Sequence, residues 1–129
     1  MGMKEADLFE YLRGSLYPDL TKSEGIYDSF DCISITAGHY IELKCRYTHY
    51  DTLLIEEMKY RKLITQAAER DLIPYYINST PKGVFSFDLM DVPEPIWNVK
   101  YLPATTAFGR NNKVDKLVGY LPIEEAVEL

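Results

Sequence analysis

The chain has 129 residues, with 14 Lys and Arg against 20 Asp and Glu and a formal charge of −6. That length fits one domain able to bury its own core without disulfides or a structural metal, and the acidic balance excludes a protein that coats nucleic acid non-specifically, because phosphate binding draws on Lys and Arg. No apolar run approaches the roughly 20 residues that span a bilayer, and the charged segment 1–10 lacks the apolar stretch of a signal peptide, which predicts a cytoplasmic protein with no membrane partner.

Residues 4–16 are predicted to form a helix. Phe9, Leu12 and Leu16 recur at helical spacing with Leu8 beside them, Gly14 weakens the end, and Pro18 closes it. Residues 19–27 are polar and contain Gly25, which predicts a loop or a short edge strand. Residues 30–35 and 40–47 are strand-like and flank a turn in which Gly38 can take a positive φ, so they predict a hairpin. Residues 53–71 give the clearest helix, with Tyr60, Leu63, Ile64 and Ala67 in one stripe and Asp51 or Thr52 as cap. Residues 72–77 predict a strand with Pro74 at an edge or a beginning. A turn over 78–83 and a strand over 84–89 follow.

The segment 90–129 is interrupted by Pro93 and Pro95. Residues 97–102 predict a short strand, 110–112 a polar turn, 113–120 a strand or helix, and 123–127 a helical turn after Pro122. The order helix, hairpin, helix, strand, strand predicts an α/β fold. It is a mixed sheet flanked by helices, with a crossover between parallel strands. The whole chain, 1–129, is one domain with a core over 4–89 and an extension over 90–129. Cys32 and Cys45 lack metal-ligand spacing and sit in strand-like runs, which predicts buried free thiols. The 11 tyrosines are accounted for by core and rim packing, or by a binding surface.

Strand alternation places Glu42 and Lys44 on one face and Ile41, Leu43 and Cys45 on the other. Asp31 opens the partner strand of the same hairpin, within reach of Glu42. Two carboxylates offer the hard oxygen ligands that Mg²⁺ prefers, and the Leu43 carbonyl between the two side chains is a third ligand candidate. A metal held there would polarise a phosphodiester, and Lys44 would orient the attacking water or neutralise developing charge. The alternative is plain: Glu-x-Lys on a strand also marks the wet face of an antiparallel sheet. Arg46, Lys59, Arg61 and Lys62 lie close to Lys44 in sequence and form a candidate substrate-binding surface, or else a solvated helix face. His39 and His49 flank the second hairpin strand and are weaker candidates for touching substrate or metal. Trp97 is a candidate for base stacking or for the core.

The helix, then Asp31 in the first hairpin strand, then Glu42-Leu43-Lys44 in the second, then an amphipathic helix and another strand, resemble the core of the PD-(D/E)XK nuclease superfamily. The resemblance covers residues 4–89, and Phe30 stands where the motif name has Pro. It implies a restriction-endonuclease-like α-β-β-α-β-β core and hydrolysis of DNA with Mg²⁺ or Mn²⁺. Asp31 and Glu42 would be metal ligands and Lys44 the catalytic lysine. A Glu on the first helix joins the site in many members, which points to Glu10, with Glu5 the other candidate. Lys59 or Tyr60 would supply a polar group from the second helix. The short acidic chain is similar to small phage-encoded members. Branched or single-stranded DNA is the implied substrate, and a homodimer the implied assembly, because such nucleases pair sites to cut two strands. The superfamily also holds inactive members, so a nuclease-like accessory domain that binds protein or nucleic acid is the second reading. An α/β domain unrelated to nucleases is the third, and it predicts Asp31 and Glu42 far apart.

Overall fold

The computed structural model describes residues 3–23, 30–103 and 113–129; the polar turn expected at 110–112 and the end of the loop expected at 19–27 lie outside them. Helix α1 (Glu5–Ser15) buries Leu8 and Leu12. Its first turn is closed by the Asp7 carboxylate, which accepts the Lys4 backbone N–H at 3.2 Å. A short strand β1 (Thr21–Lys22) then pairs with β2 (Phe30–Ser34), and β2 pairs antiparallel with β3 (His39–Cys45). The turn between β2 and β3 needs Gly38, which sits at φ +76 and donates its N–H to the Ser34 carbonyl at 2.9 Å.

The helix expected over residues 53–71 begins later. Thr52–Glu56 is strand β4, and α2 occupies Glu57–Glu69. Leu53 and Ile55 are buried and their neighbours less so. This alternation of period two fits a half-buried strand and overrides the helical reading. The N-cap is accordingly Glu56 and not Asp51 or Thr52. The turn expected over 78–83 also shrinks. Strand β5 (Ile73–Thr80) runs on to Thr80 and β6 (Gly83–Asp88) starts at Gly83, so only Pro81 and Lys82 connect them. Pro74 is the second residue of β5, at a strand beginning as expected.

The chain beyond Leu89 is integral to the packing. It supplies β7 (Asn98–Pro103), β8 (Lys113–Pro122), a single 3-10 turn (Ile123–Glu125) and β9 (Val127–Glu128). A six-stranded sheet runs β1-β2-β3-β5-β6-β9, and a three-stranded sheet runs β4-β8-β7. In the larger sheet β3 and β5 are parallel and the other pairs antiparallel. The protein is thus a mixed α/β fold. It keeps the expected helix, hairpin, helix, strand, strand order as α1-β2-β3-α2-β5-β6, with β1 and β4 added.

Two apolar clusters sit on opposite faces of the six-stranded sheet. One joins Leu8 and Leu12 of α1 to Cys32, Ile41, Leu43 and Ile77. The other joins Tyr60, Leu63 and Ala67 of α2 to Tyr40, Tyr76 and Phe87 of the large sheet and Leu53, Ile55 and Leu121 of the small one. Helix α2 therefore covers the face that carries Glu42. Both cysteines are free, and burial pushes the Cys32 thiol up to about 12. Among the described residues no helix is long and apolar enough to cross a membrane.

Candidate functional site

Asp31 on β2 and Glu42 on β3 are direct register partners, so their side chains leave the same face of the sheet side by side. Both are buried: their side chains are 10% and 3% exposed. Helix α2 roofs them with two lysines three residues apart. The Lys62 ammonium lies 3.6 Å from Asp31 Oδ2 and the Lys59 ammonium 3.6 Å from Glu42 Oε2. Residues at that spacing occupy one helix face, so α2 addresses both carboxylates at once. Tyr40, two residues before Glu42 on the same face, donates its hydroxyl to Asp31 Oδ2 at 3.0 Å. Tyr40 was not foreseen from the sequence, although its shared face with Glu42 was the available signal.

Among the described residues, Asp31 Oδ1 and Asn78 Nδ2 are buried without a conventional hydrogen-bond partner, although the Asp31 carboxylate can accept from the Glu42 carboxyl when that is protonated. Asn78 is the register partner of Lys44 across the parallel β3–β5 pair. Buried polar atoms without a conventional partner are uncommon in a folded protein. The two adjacent carboxyls fit a hard divalent cation, which would replace the proton they share. Mg²⁺ is ordinarily held by one or two carboxylates, with water and substrate phosphate completing its shell. Among the described residues there is no cluster of three or more Asp, Glu, His or Cys able to hold a metal, so protein ligands would number two carboxylates. Leu43, the third ligand candidate, pairs with Phe30 on one side and Ile77 on the other, which leaves its carbonyl in the plane of the sheet.

Lys44 is half-buried on the same strand face as Glu42. Burial lowers its pKa, and Lys59 and Arg46 lower it further, while Glu5 and Glu42 oppose. Burial also pushes the Glu42 carboxyl up, to about 7; Lys59 pulls it back and Asp31 raises it. A carboxyl whose folded value lies above its unfolded one stabilises the protein at low pH and loses that contribution as pH rises through the folded value. In metal-free buffer the unfolding free energy should therefore fall between about pH 5 and pH 8, with Glu42→Gln flattening the slope. Urea unfolding across that range measures it, and an unchanged slope in the variant would assign the effect elsewhere.

The remaining candidates separate. Glu10 is not brought to the site. It is exposed and ion-paired with Arg13 at 3.4 Å, two residues and hence about 200° of helix rotation from Leu8 and Leu12, which face the opposite side of the sheet. Glu5, three residues before Leu8, is the helix carboxylate that reaches the rim of β3, where it hydrogen-bonds Cys45 and acts on Lys44. Arg46 turns inward: its guanidinium donates to Asn78 Oδ1 at 3.0 Å, to the Tyr76 hydroxyl at 2.9 Å and to the Leu54 carbonyl. It ties β3 and β5 to β4 and presents no open fork to a phosphate. Arg61 is held by Glu57 at 2.9 Å and Glu94 at 2.6 Å. Of the four proposed substrate contacts, only Lys59 and Lys62 stand at the carboxylates.

His39 stacks on Tyr75 at 3.8 Å and bonds the Tyr17 hydroxyl. His49 bonds Thr80 Oγ1 at 2.8 Å. Trp97 packs on Tyr60 and donates to Glu94. All three are accounted for by packing. No protein-family model, curated protein or solved structure matches the chain.

Proposed function

We propose that this protein is a metal-dependent nuclease with a PD-(D/E)XK-type site, acting on DNA phosphodiester bonds. The observation that carries the reading is the buried register pair Asp31–Glu42, two carboxyls close enough to share a hydrogen bond, with Lys44 two residues along the same strand face. Burying two like charges side by side is costly, and a bound divalent cation would offset that cost. The sequence of elements from α1 to β5, with β3 and β5 parallel, supports the restriction-endonuclease-like comparison.

On this reading Asp31 and Glu42 hold Mg²⁺ or Mn²⁺, and the Leu43 carbonyl, in the plane of the sheet between β2 and β5, takes no part. The cation, when bound, supplies the charge that polarises the phosphodiester and stabilises the leaving oxygen. Tyr40 fixes the rotamer of Asp31 through its hydroxyl. Lys44, with its proton held less tightly than usual, orients the attacking water and offsets negative charge at the phosphorus. Lys59 and Lys62 are about half-exposed, so they can swing from the carboxylates to the substrate phosphates without leaving water. A homodimer would bring two such sites to opposite strands.

The test is cleavage of duplex, single-stranded and branched DNA with Mg²⁺ or Mn²⁺. Activity is expected, with about a 100-fold or greater loss in Lys44→Ala and unchanged unfolding midpoints. No cleavage of any substrate by the wild-type protein overturns the reading.

A second reading has its own observation. The Lys59–Glu42 and Lys62–Asp31 ion pairs can neutralise both carboxylates without a metal, as expected of an inactive, accessory nuclease-like domain. Calorimetric titration with Mn²⁺ separates the two: heat that vanishes in Asp31→Asn supports the nuclease, and a silent wild-type titration supports the accessory domain.

A further inference from the structure

At the carboxyl end of β3 lies a second feature that neither the carboxylate pair nor the fold explains. A cavity of about 490 Å³ opens there between the start of α1 and the chain following β3, lined by Lys4, Glu5, Lys44, Arg46, Tyr47 and Tyr50 among others. Tyr47 is 86% exposed and Tyr50 63% exposed. Two large aromatic rings this open to water, three residues apart in one short connection, contribute nothing to the core. The cavity carries Lys4 and Lys44 against the one carboxylate of Glu5, with the Arg46 guanidinium turned inward behind them, in a molecule whose net charge is −6. Lys44 links this cavity to the carboxylates: it lines the cavity, and two residues of strand, roughly 7 Å, separate it from Glu42. Lys59 and Lys62 continue the line of cations over Glu42 and Asp31.

We infer that this cavity is the entry track for a single-stranded polynucleotide, whose bases stack on Tyr47 and Tyr50 while its backbone follows Lys4 and Lys44 toward the carboxylate pair. Stacking suits exposed tyrosines because every base offers a π-face, and a line of lysines tracks the backbone without reading sequence. A duplex has its bases already stacked and cannot use the tyrosines. The crevice beyond the carboxyl ends of parallel strands, here β3 and β5, is also where open α/β sheets commonly take ligands. The inference deepens the nuclease reading and rests on it for what happens at the carboxylates, but the binding it describes can be measured without cleavage.

The experiment is fluorescence anisotropy with a labelled oligothymidylate, an oligouridylate and a blunt duplex of the same length, in EDTA so that nothing is cut. The single strands are expected to bind at least about ten-fold more tightly than the duplex. Tyr47→Ala and Tyr50→Ala should each weaken single-strand binding about ten-fold, while Tyr47→Phe and Tyr50→Phe keep most of it, since a ring without its hydroxyl still stacks. Equal affinity for duplex and single strand, or alanine variants that bind as the wild type does, overturns the inference. Cleavage with Mn²⁺ is scored separately. A protein that cuts duplex DNA but shows no tyrosine-dependent single-strand binding keeps the nuclease reading and loses this one. A protein that binds single strands through the tyrosines and never cuts does the reverse.

Discussion

Glu42→Gln is expected to yield a protein that is more stable in metal-free buffer at neutral pH and has lost metal-dependent cleavage by about 100- to 1,000-fold. The two halves follow from one fact. Glu42 is buried beside another carboxylate, and its pKa is raised by that burial, so near pH 7 the folded state bears part of the cost of a buried charge. Gln has the same shape and no charge. Lys59, the partner it would lose, is more than a third exposed and can turn its ammonium to water, so no uncompensated cation is left inside. Asp31 loses a like-charged neighbour. Exchanging a buried ionic group for a neutral isostere is often neutral or stabilising, here on the order of 1 kcal/mol. The amide oxygen is a weaker ligand than a carboxylate oxygen for a hard cation, so metal binding and cleavage fall. Urea unfolding in EDTA reads the first half; Mn²⁺ calorimetry and oligonucleotide cleavage read the second. If Glu42 were simply one half of a structural ion pair, the variant would be destabilised and any metal binding kept. That pairing of results would sink the nuclease reading and favour the accessory domain.

The part of this site legible in the sequence was the part set by short-range geometry. Strand alternation alone places Glu42 and Lys44 on one face, and a turn tightened by Gly38 brings Asp31 opposite Glu42. The roof was not legible. Which residues of α2 stand over the carboxylates depends on where the helix begins, and it begins late because Thr52–Glu56 is drawn into a sheet by β8, some sixty residues downstream. No local pattern reports that pairing, and the run from Leu53 continues so smoothly into helical spacing that a single helix is the natural expectation. Asn78 was hidden for a related reason. Asn-Ser-Thr-Pro has the composition of a turn, but β5 lies between β3 and β6, and pairing on both sides extends the strand through Thr80. Glu10 was a candidate through the family resemblance alone, and helix phase decides between it and Glu5. Leu12 and Leu16 suggest one stripe, yet Leu16 is exposed and Leu8 buried, which rotates Glu10 to the solvent and brings Glu5 to the sheet.

Arg46 provides the sharpest contrast between a basic residue that binds substrate and one that holds the fold. Arg46→Met is expected to lower the unfolding free energy by about 3–5 kcal/mol. From the end of β3 the guanidinium reaches two other strands, donating to Asn78 and Tyr76 on β5 and to the Leu54 carbonyl on β4. Asn78 is fully buried and its amide nitrogen already lacks a partner, so removing Arg46 would leave its oxygen unsatisfied as well. Tyr76 keeps one bond, from its hydroxyl to the Leu54 carbonyl at 3.2 Å, which limits the loss. Arg46→Lys should recover little, because a single ammonium cannot span three acceptors that a planar fork reaches together. Arg61→Ala, at an exposed position among Glu57 and Glu94, should cost far less than either. Urea unfolding of the three variants decides the matter. An Arg46→Lys protein as stable as the wild type would return Arg46 to the substrate surface. The expected loss instead makes Arg46 the strut that holds β4, and with it the start of α2, in place, so that Lys59 and Lys62 come down over Glu42 and Asp31.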